Sequence, residues 1–100
     1  MISNNQLGLR VDTSDEWIQS RTGISTRRVS SPDQHLSDLA ADAGRSALAM
    51  AGWSAESLDL VLLATSTPDD LFGTAPAVQA ALGATNAVAF DLTAACSGFL

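Results

Sequence analysis

Leu60-Val61-Leu62-Leu63-Ala64 is the stretch that decides the fold. Its apolar residues follow one another with no polar alternation, and the run is too short for a helix of its own. This is the pattern of a strand buried on both faces, as in a parallel sheet covered by helices. Ala87 to Leu92 reads as a second such strand. Between the two, Thr65 to Gly73 is a polar loop containing Pro68. Thr74 is placed to cap a helix from Ala75 to Leu82, with Pro76 in its first turn, and Gly83 stops it. Strand, helix and strand in this order form the unit of a parallel sheet built from right-handed crossovers.

Upstream, Leu36, Leu39, Ala40, Ala43, Ala47, Leu48 and Ala51 recur at helical spacing and form one apolar stripe. Asp38, Asp42 and Arg45 lie off the stripe, and Gly52 is placed as the C-cap. Gly44 inside this helix costs about 1 kcal/mol relative to alanine, and close packing against a neighbour is a reason to keep it. Earlier still, Asp12 to Ile18 reads as a helix start. Thr13 or Ser14 serves as cap, with Asp15 and Glu16 in the first turn. Gly23 ends that helix, Ile24 to Val29 alternates like a short strand, and Ser30-Ser31-Pro32-Asp33 is a loop. The order is helix, short strand, helix, strand, helix, strand, turn: an α/β chain of buried strands alternating with helices. Strands buried on both faces need helices on both sides, and these residues supply too few. The 100 residues are therefore expected to be part of a larger protein or of an obligate assembly.

Composition narrows the function classes. At 46% hydrophobic residues the chain is apolar enough to fold, so disorder is excluded. The net charge is −6 and there is no lysine, which disfavours nucleic acid and anionic lipid as partners. All five basic residues are arginines, and Arg10, Arg21, Arg27 and Arg28 lie in the first third. An anionic ligand is therefore expected there, if anywhere. No apolar run is long enough to span a membrane. Met1 to Gln6 lacks the basic and apolar regions of a signal peptide. A single cysteine builds no disulfide framework. Together these favour a cytoplasmic setting.

The chemistry concentrates at the far end, in Phe90-Asp91-Leu92-Thr93-Ala94-Ala95-Cys96-Ser97-Gly98-Phe99. A strand feeds a run of tiny residues and then the only thiol. The pattern predicts a sharp turn with the sulfur at a helix start, where unpaired backbone N–H groups and the helix dipole favour thiolate. In such sheets ligands gather at the carboxyl ends of strands. The loops Thr65 to Gly73 and Thr93 to Gly98 should then open onto one edge. From these residues alone Cys96 is either an inert thiol or a nucleophile, and Trp17 either a core aromatic or a ligand platform. Asp69 and Asp70 read as a solvated loop, because adjacent carboxylates rarely converge. His35, the only histidine, reads as surface, and with Cys96 it makes no metal site.

Thr13-Ser14-Asp15-Glu16-Trp17-Ile18, with Arg21-Thr22-Gly23-Ile24, resembles the N-terminal signature of β-ketoacyl-acyl carrier protein synthase III. Ala89 to Phe99 is similar to that family's active-site segment, and Ser37-Asp38-Leu39-Ala40 and Leu82-Gly83 match between them. The resemblance implies a thiolase-like fold, of which residues 1–100 are an incomplete N-terminal half, truncated at both ends. It implies an acyltransferase that starts type II fatty acid synthesis by condensing acetyl-CoA with malonyl-acyl carrier protein. The alternatives are a related acyltransferase or ketide synthase with a different acceptor, and an inactive fragment. Cys96 would be the nucleophile, and its own N–H one oxyanion donor. Trp17 would stack on the adenine of coenzyme A. Arg21 would contact the nucleotide and phosphates, and Thr13 would cap the helix, bind the nucleotide, or both. Phe72 is the chemical match, and Leu71 the positional one, for a residue that floors the acyl pocket of the other protomer in a homodimer. Coenzyme A enters as a thioester substrate, so no cofactor and no metal are implied. The family's catalytic histidine and asparagine come from a second half, so the 100 residues alone are expected to be inactive.

Overall fold

The computed structural model describes all 100 residues, Met1–Leu100. They divide into two compact units, Met1–Asp33 and Gln34–Leu100.

The first unit opens with a strand and a helix that the sequence pattern did not predict: β1 (Ile2–Ser3) and α1 (Asn4–Gly8). Their signal is the Ser3-x-x-Gln6 pattern. The Ser3 hydroxyl accepts from the Gln6 N–H at 3.2 Å, and Gln6 Oε1 accepts from the Ser3 N–H at 2.9 Å. This is a reciprocal capping box. Helix α2 (Asp15–Thr22) comes next, capped at its C-terminus by Gly23. The strand expected over Ile24 to Val29 shrinks to β2 (Thr26–Arg27), because its only partner, the antiparallel β1, is two residues long.

In the second unit, α3 (Leu36–Ala51) ends at Gly52 as its apolar periodicity predicts. A single 3-10 turn (Ala55–Ser57) leads to β3 (Leu60–Ala64), and then come α4 (Ala75–Leu82) and β4 (Val88–Leu92). β3 and β4 pair in parallel, Leu60 opposite Val88 through Ala64 opposite Leu92. Ala41, Val61, Val78 and Ala84 form the core, with Leu63, Leu82 and Ala89 packed against it. A β-carbon on Gly44 would lie 3.1 Å from the Leu82 side chain. Close packing of α3 on α4 is therefore what the glycine permits.

The sheet has one covered face and one bare face. Val61, Leu63, Ala89 and Asp91 are buried or half-buried, while Leu60, Leu62, Val88 and Phe90 alternate with them and are about half exposed or more. The apolar runs therefore exceed what 100 residues can cover, as the sequence implied.

Candidate functional site: the Cys96 turn and the Trp17 helix

The two loops at the carboxyl ends of the parallel strands meet. The Thr65 N–H donates to the Leu92 carbonyl at 3.0 Å, and the Thr93 hydroxyl donates to the Thr65 carbonyl at 3.3 Å. Cys96 stands just beyond this junction, exposed and unpaired with any other cysteine. It lies on a 3-10 turn, Ala95–Phe99, held by N–H bonds from Ser97 to Ala94 O and from Leu100 to Ser97 O. The helix expected to start at the thiol is a 3-10 turn over these residues. The predicted sharp turn is present. Ala95 has φ +46°, a left-handed conformation unusual for a residue with a side chain, and it turns the chain between strand and thiol. Gly98 lies against β3, where an added β-carbon would meet Ala64 Cβ at 2.9 Å. Nothing larger fits there.

A network of carboxylates supports this edge. Asp91, on the covered face of β4, accepts from the Thr74 N–H at 2.9 Å and the Ala75 N–H at 2.6 Å. The N-terminus of α4 is thus held by Asp91 and not, as the sequence suggested, by the Thr74 hydroxyl. That hydroxyl instead accepts from the Asp69 N–H at 2.7 Å. Asp69 reaches α3, accepting from the N–H groups of Leu36 and Ser37 at 2.8 and 2.9 Å. These bonds, that to Ser37 foremost, hold its carboxyl below the usual carboxylate range. Asp69 and Asp70 are exposed, as expected of a solvated loop, and Asp69 in addition caps a helix distant in sequence. Asp91 had a sequence signal: it is the one charge inside an apolar strand. Asp69 had none, since its partners lie 32 and 33 residues away.

Between these anchors, Leu71 and Phe72 stand out at 91% and 90% exposure, so neither contributes to the unit's own core. Phe72 is held only through its backbone N–H, which donates to Asp70 Oδ1 at 2.7 Å. His35 is exposed and precedes α3, its N–H donating to Asp38. No group of three or more His, Cys, Asp or Glu side chains is arranged to hold a metal.

In the first unit, Ser14 and not Thr13 caps α2, its hydroxyl accepting from the Trp17 N–H at 3.1 Å. Thr13 Oγ1 is buried with no hydrogen-bond partner. The residue itself, with Asp12, Ser14 and Trp17, lines an open cleft of about 400 Å³. The Trp17 side chain is exposed, and the Arg21 guanidinium carbon lies 4.8 Å from its ring centre. The i, i+4 pair therefore shares a face, as predicted, and makes a cation–π contact. Asp15, in the first turn, is held below its ordinary pKa by hydrogen bonds from the Gln19 and Asn4 side chains. Asn4, for which the sequence carries no distinguishing pattern, is fully buried.

This arrangement of helices and strands, with a thiol on a tight turn beyond a parallel strand, is that of a thiolase-like fold. The priming β-ketosynthase of the R1128 polyketide pathway superposes with a TM-score of 0.88 at 39% identity, over 98% of this chain and 30% of that one. A β-ketoacyl-acyl carrier protein synthase III from Thermus thermophilus gives 0.82 at 46% identity, over 97% of this chain and 30% of its own. No family model matches the chain. In sequence it is 77% identical over 100 residues to β-ketoacyl-acyl carrier protein synthase III of Synechococcus sp. (strain WH7803), of which it spans 30%. Over its whole length the chain is thus similar to β-ketoacyl-acyl carrier protein synthases III, and it spans about 30% of the length of the relatives it matches.

Proposed function

We propose that the protein of which these residues are part is a β-ketoacyl-acyl carrier protein synthase III. Cys96 Sγ attacks the thioester carbonyl of acetyl-CoA or a similar short acyl-CoA, and coenzyme A leaves as its thiol. Malonyl-acyl carrier protein then loses CO₂, and the resulting carbanion attacks the acyl-cysteine. A carbon–carbon bond forms, the Cys96 thiolate is released, and β-ketoacyl-acyl carrier protein is the product. Trp17, Arg21 and Thr13 receive the nucleotide end of coenzyme A. The exposed Trp17–Arg21 face offers a ring for adenine and a cation for phosphate, and Thr13 lines the adjoining cleft. Phe72 packs into the acyl pocket of a second protomer, a reading supported by its 90% exposure. No helix is long and apolar enough to cross a membrane, and we assign the enzyme to the cytoplasm, acting as a homodimer without a cofactor.

The observation that supports this reading best is the exposed Cys96 on its left-handed turn at the carboxyl end of β4. The test is labelling of the full-length protein with radioactive acetyl-CoA. Wild type takes up label, and Cys96→Ser does not; persistent labelling of the variant removes Cys96 from the role. A second reading, a thiolase-like acyltransferase with another acceptor, is favoured by the TM-score of 0.88 to a polyketide-priming enzyme. Offering malonyl-acyl carrier proteins of fatty acid and polyketide type to the acylated enzyme separates the two.

A further inference from the structure

Asn4 is a polar side chain with no exposed surface, in a unit whose one buried apolar residue is Ile18. Three hydrogen bonds hold its amide. Nδ2 donates to Asp15 Oδ1 at 2.8 Å and to the Ile24 carbonyl at 2.7 Å, while Oδ1 accepts from Arg27 Nη2. Two acceptors face the amide nitrogen and a cation faces the oxygen, so the orientation of the group is dictated by its surroundings. Its backbone is fixed as firmly. The Asn4 N–H donates to the Ser25 carbonyl at 3.1 Å, and the residue opens α1 directly after the Ser3 capping box. One end of Arg27 is likewise fixed, in β2 opposite Ile2.

What Asn4 joins gives it a role. Asp15 is the first residue of α2, and Ile24 immediately follows Gly23, the C-cap of the same helix. A single amide thus grips both ends of α2. Asp15 passes the link to Gln19, whose Nε2 donates to Asp15 Oδ2 at 2.6 Å. The opposite side of α2 carries the exposed Trp17–Arg21 pair, and no bond from the clamp reaches either side chain. We infer that Asn4 is a positioning residue for nucleotide recognition: it sets where α2 lies, and through α2 where Trp17 and Arg21 meet the nucleotide of the acyl-CoA. Because the amide is desolvated, each lost bond leaves a buried donor or acceptor unpaired, and the helix must move or admit water to satisfy it. A shift of α2 changes affinity for coenzyme A and leaves the chemistry at Cys96 alone.

This inference rests on the reading that α2 binds coenzyme A, and the experiment separates the two. In the full-length enzyme, Asn4→Ala is expected to raise KM for acetyl-CoA on the order of ten-fold. kcat at saturating acetyl-CoA should stay within about two-fold, since losing ground-state binding alone moves KM. Asn4→Asp, which keeps the shape and the acceptor toward Arg27, sets a carboxylate against Asp15 and the Ile24 carbonyl; it should raise KM and carries the test if Asn4→Ala does not fold. Adding Asp15→Asn to Asn4→Asp returns a donor to the contact and should recover part of the lost affinity. Trp17→Ala is the control for the underlying reading. If Trp17→Ala leaves KM unchanged, α2 is not the nucleotide-binding helix. If Trp17→Ala raises KM and the Asn4 variants do not, the positioning role fails while the site stands. Misfolding of both Asn4 variants, or an equal loss in kcat and affinity without rescue, also overturns it.

Discussion

The two units are held together by different forces. In Met1–Asp33 the fully buried side chain is an amide, Asn4, and the joints are hydrogen bonds of defined direction among Asn4, Asp15, Gln19 and Arg27. In Gln34–Leu100 the centre is apolar, with Ala41, Val61, Val78 and Ala84 in contact, and its one fully buried polar side chain, Thr74, stands at the start of α4, where the Asp91 carboxylate accepts from its N–H. Apolar packing is non-directional and tolerates exchange of similar volumes, whereas a buried hydrogen-bond network fixes geometry and tolerates little. The first unit presents Trp17 and Arg21 by orienting a short helix; the second presents Cys96 by stopping a strand against a packed layer. Their responses to mutation should therefore differ in kind.

The largest effect should come from charging the apolar centre. Val78, in α4, is 4% exposed and contacts the core under the sheet. Val78→Asp strands a carboxylate there and should cost upward of about 3 kcal/mol, enough to unfold the second unit. Loss of cooperative thermal unfolding would register it, and a melting point near wild type would break the picture of an apolar centre. Gly98→Ala comes next. The added methyl meets Ala64 Cβ, and overpacking of this kind costs about 1–3 kcal/mol and displaces the Cys96 turn. Slower alkylation of Cys96 by iodoacetamide at unchanged pH should report the displacement. Ala64→Gly in the same protein should restore the rate, because it removes the atom that is struck.

The legibility of the sequence divides along the same line. Helices α2, α3 and α4 and strands β3 and β4 were readable because each carries a local signal: an apolar period, a cap, a glycine stop. Gly44 was readable as a packing position, and Leu82 proves to be its neighbour. The Trp17–Arg21 pair was readable because i, i+4 spacing alone puts two side chains on one face. The features that escaped depend on distant partners. Asn4 meets Ile24 and Arg27 across 20 and 23 residues, and Asp69 meets α3 across more than 30. No local period encodes such contacts. The short β1 and α1 escaped although the capping box was present in Ser3 and Gln6. The cysteine turn was legible as a turn, but its 3-10 hydrogen bonding was not specified by the pattern of tiny residues.

Within the first unit, Ser14→Ala should cost about 1 kcal/mol, since the serine hydroxyl supplies the cap of α2. Thr13→Ala removes a hydroxyl that bonds to nothing in this chain and should leave the melting point nearly unchanged. On the proposed reading it should nevertheless weaken binding of coenzyme A. Equal destabilisation by both variants would return the capping role to Thr13 and blur the line between structural and ligand-facing hydroxyls in this segment.

The smallest effect, and the one that depends on conditions, concerns Asp69. Its carboxylate is stabilised in the folded state by the N–H groups of Ser37 and Leu36, with a weaker pull from the charge of nearby His35, and it also complements the positive end of α3. The folded pKa is therefore lower than the unfolded one, which for an aspartate is about 3.9. A group shifted in this direction adds stability above its unfolded pKa, and the contribution disappears as pH falls through the folded value. Asp69→Asn keeps one acceptor oxygen but loses the charge and one of the two bonds. The variant should melt below wild type at neutral pH, and the gap should close as the solution is acidified below about pH 4. A gap that persists in acid would mean that Asp69 acts through packing of its loop and not through its charge. Asp15 in the first unit supplies the contrast. Its pKa is lowered by side-chain amides, Gln19 first and then Asn4. Gln19→Ala should therefore raise the Asp15 pKa, whereas in the second unit no single side-chain truncation removes the backbone donors that hold Asp69.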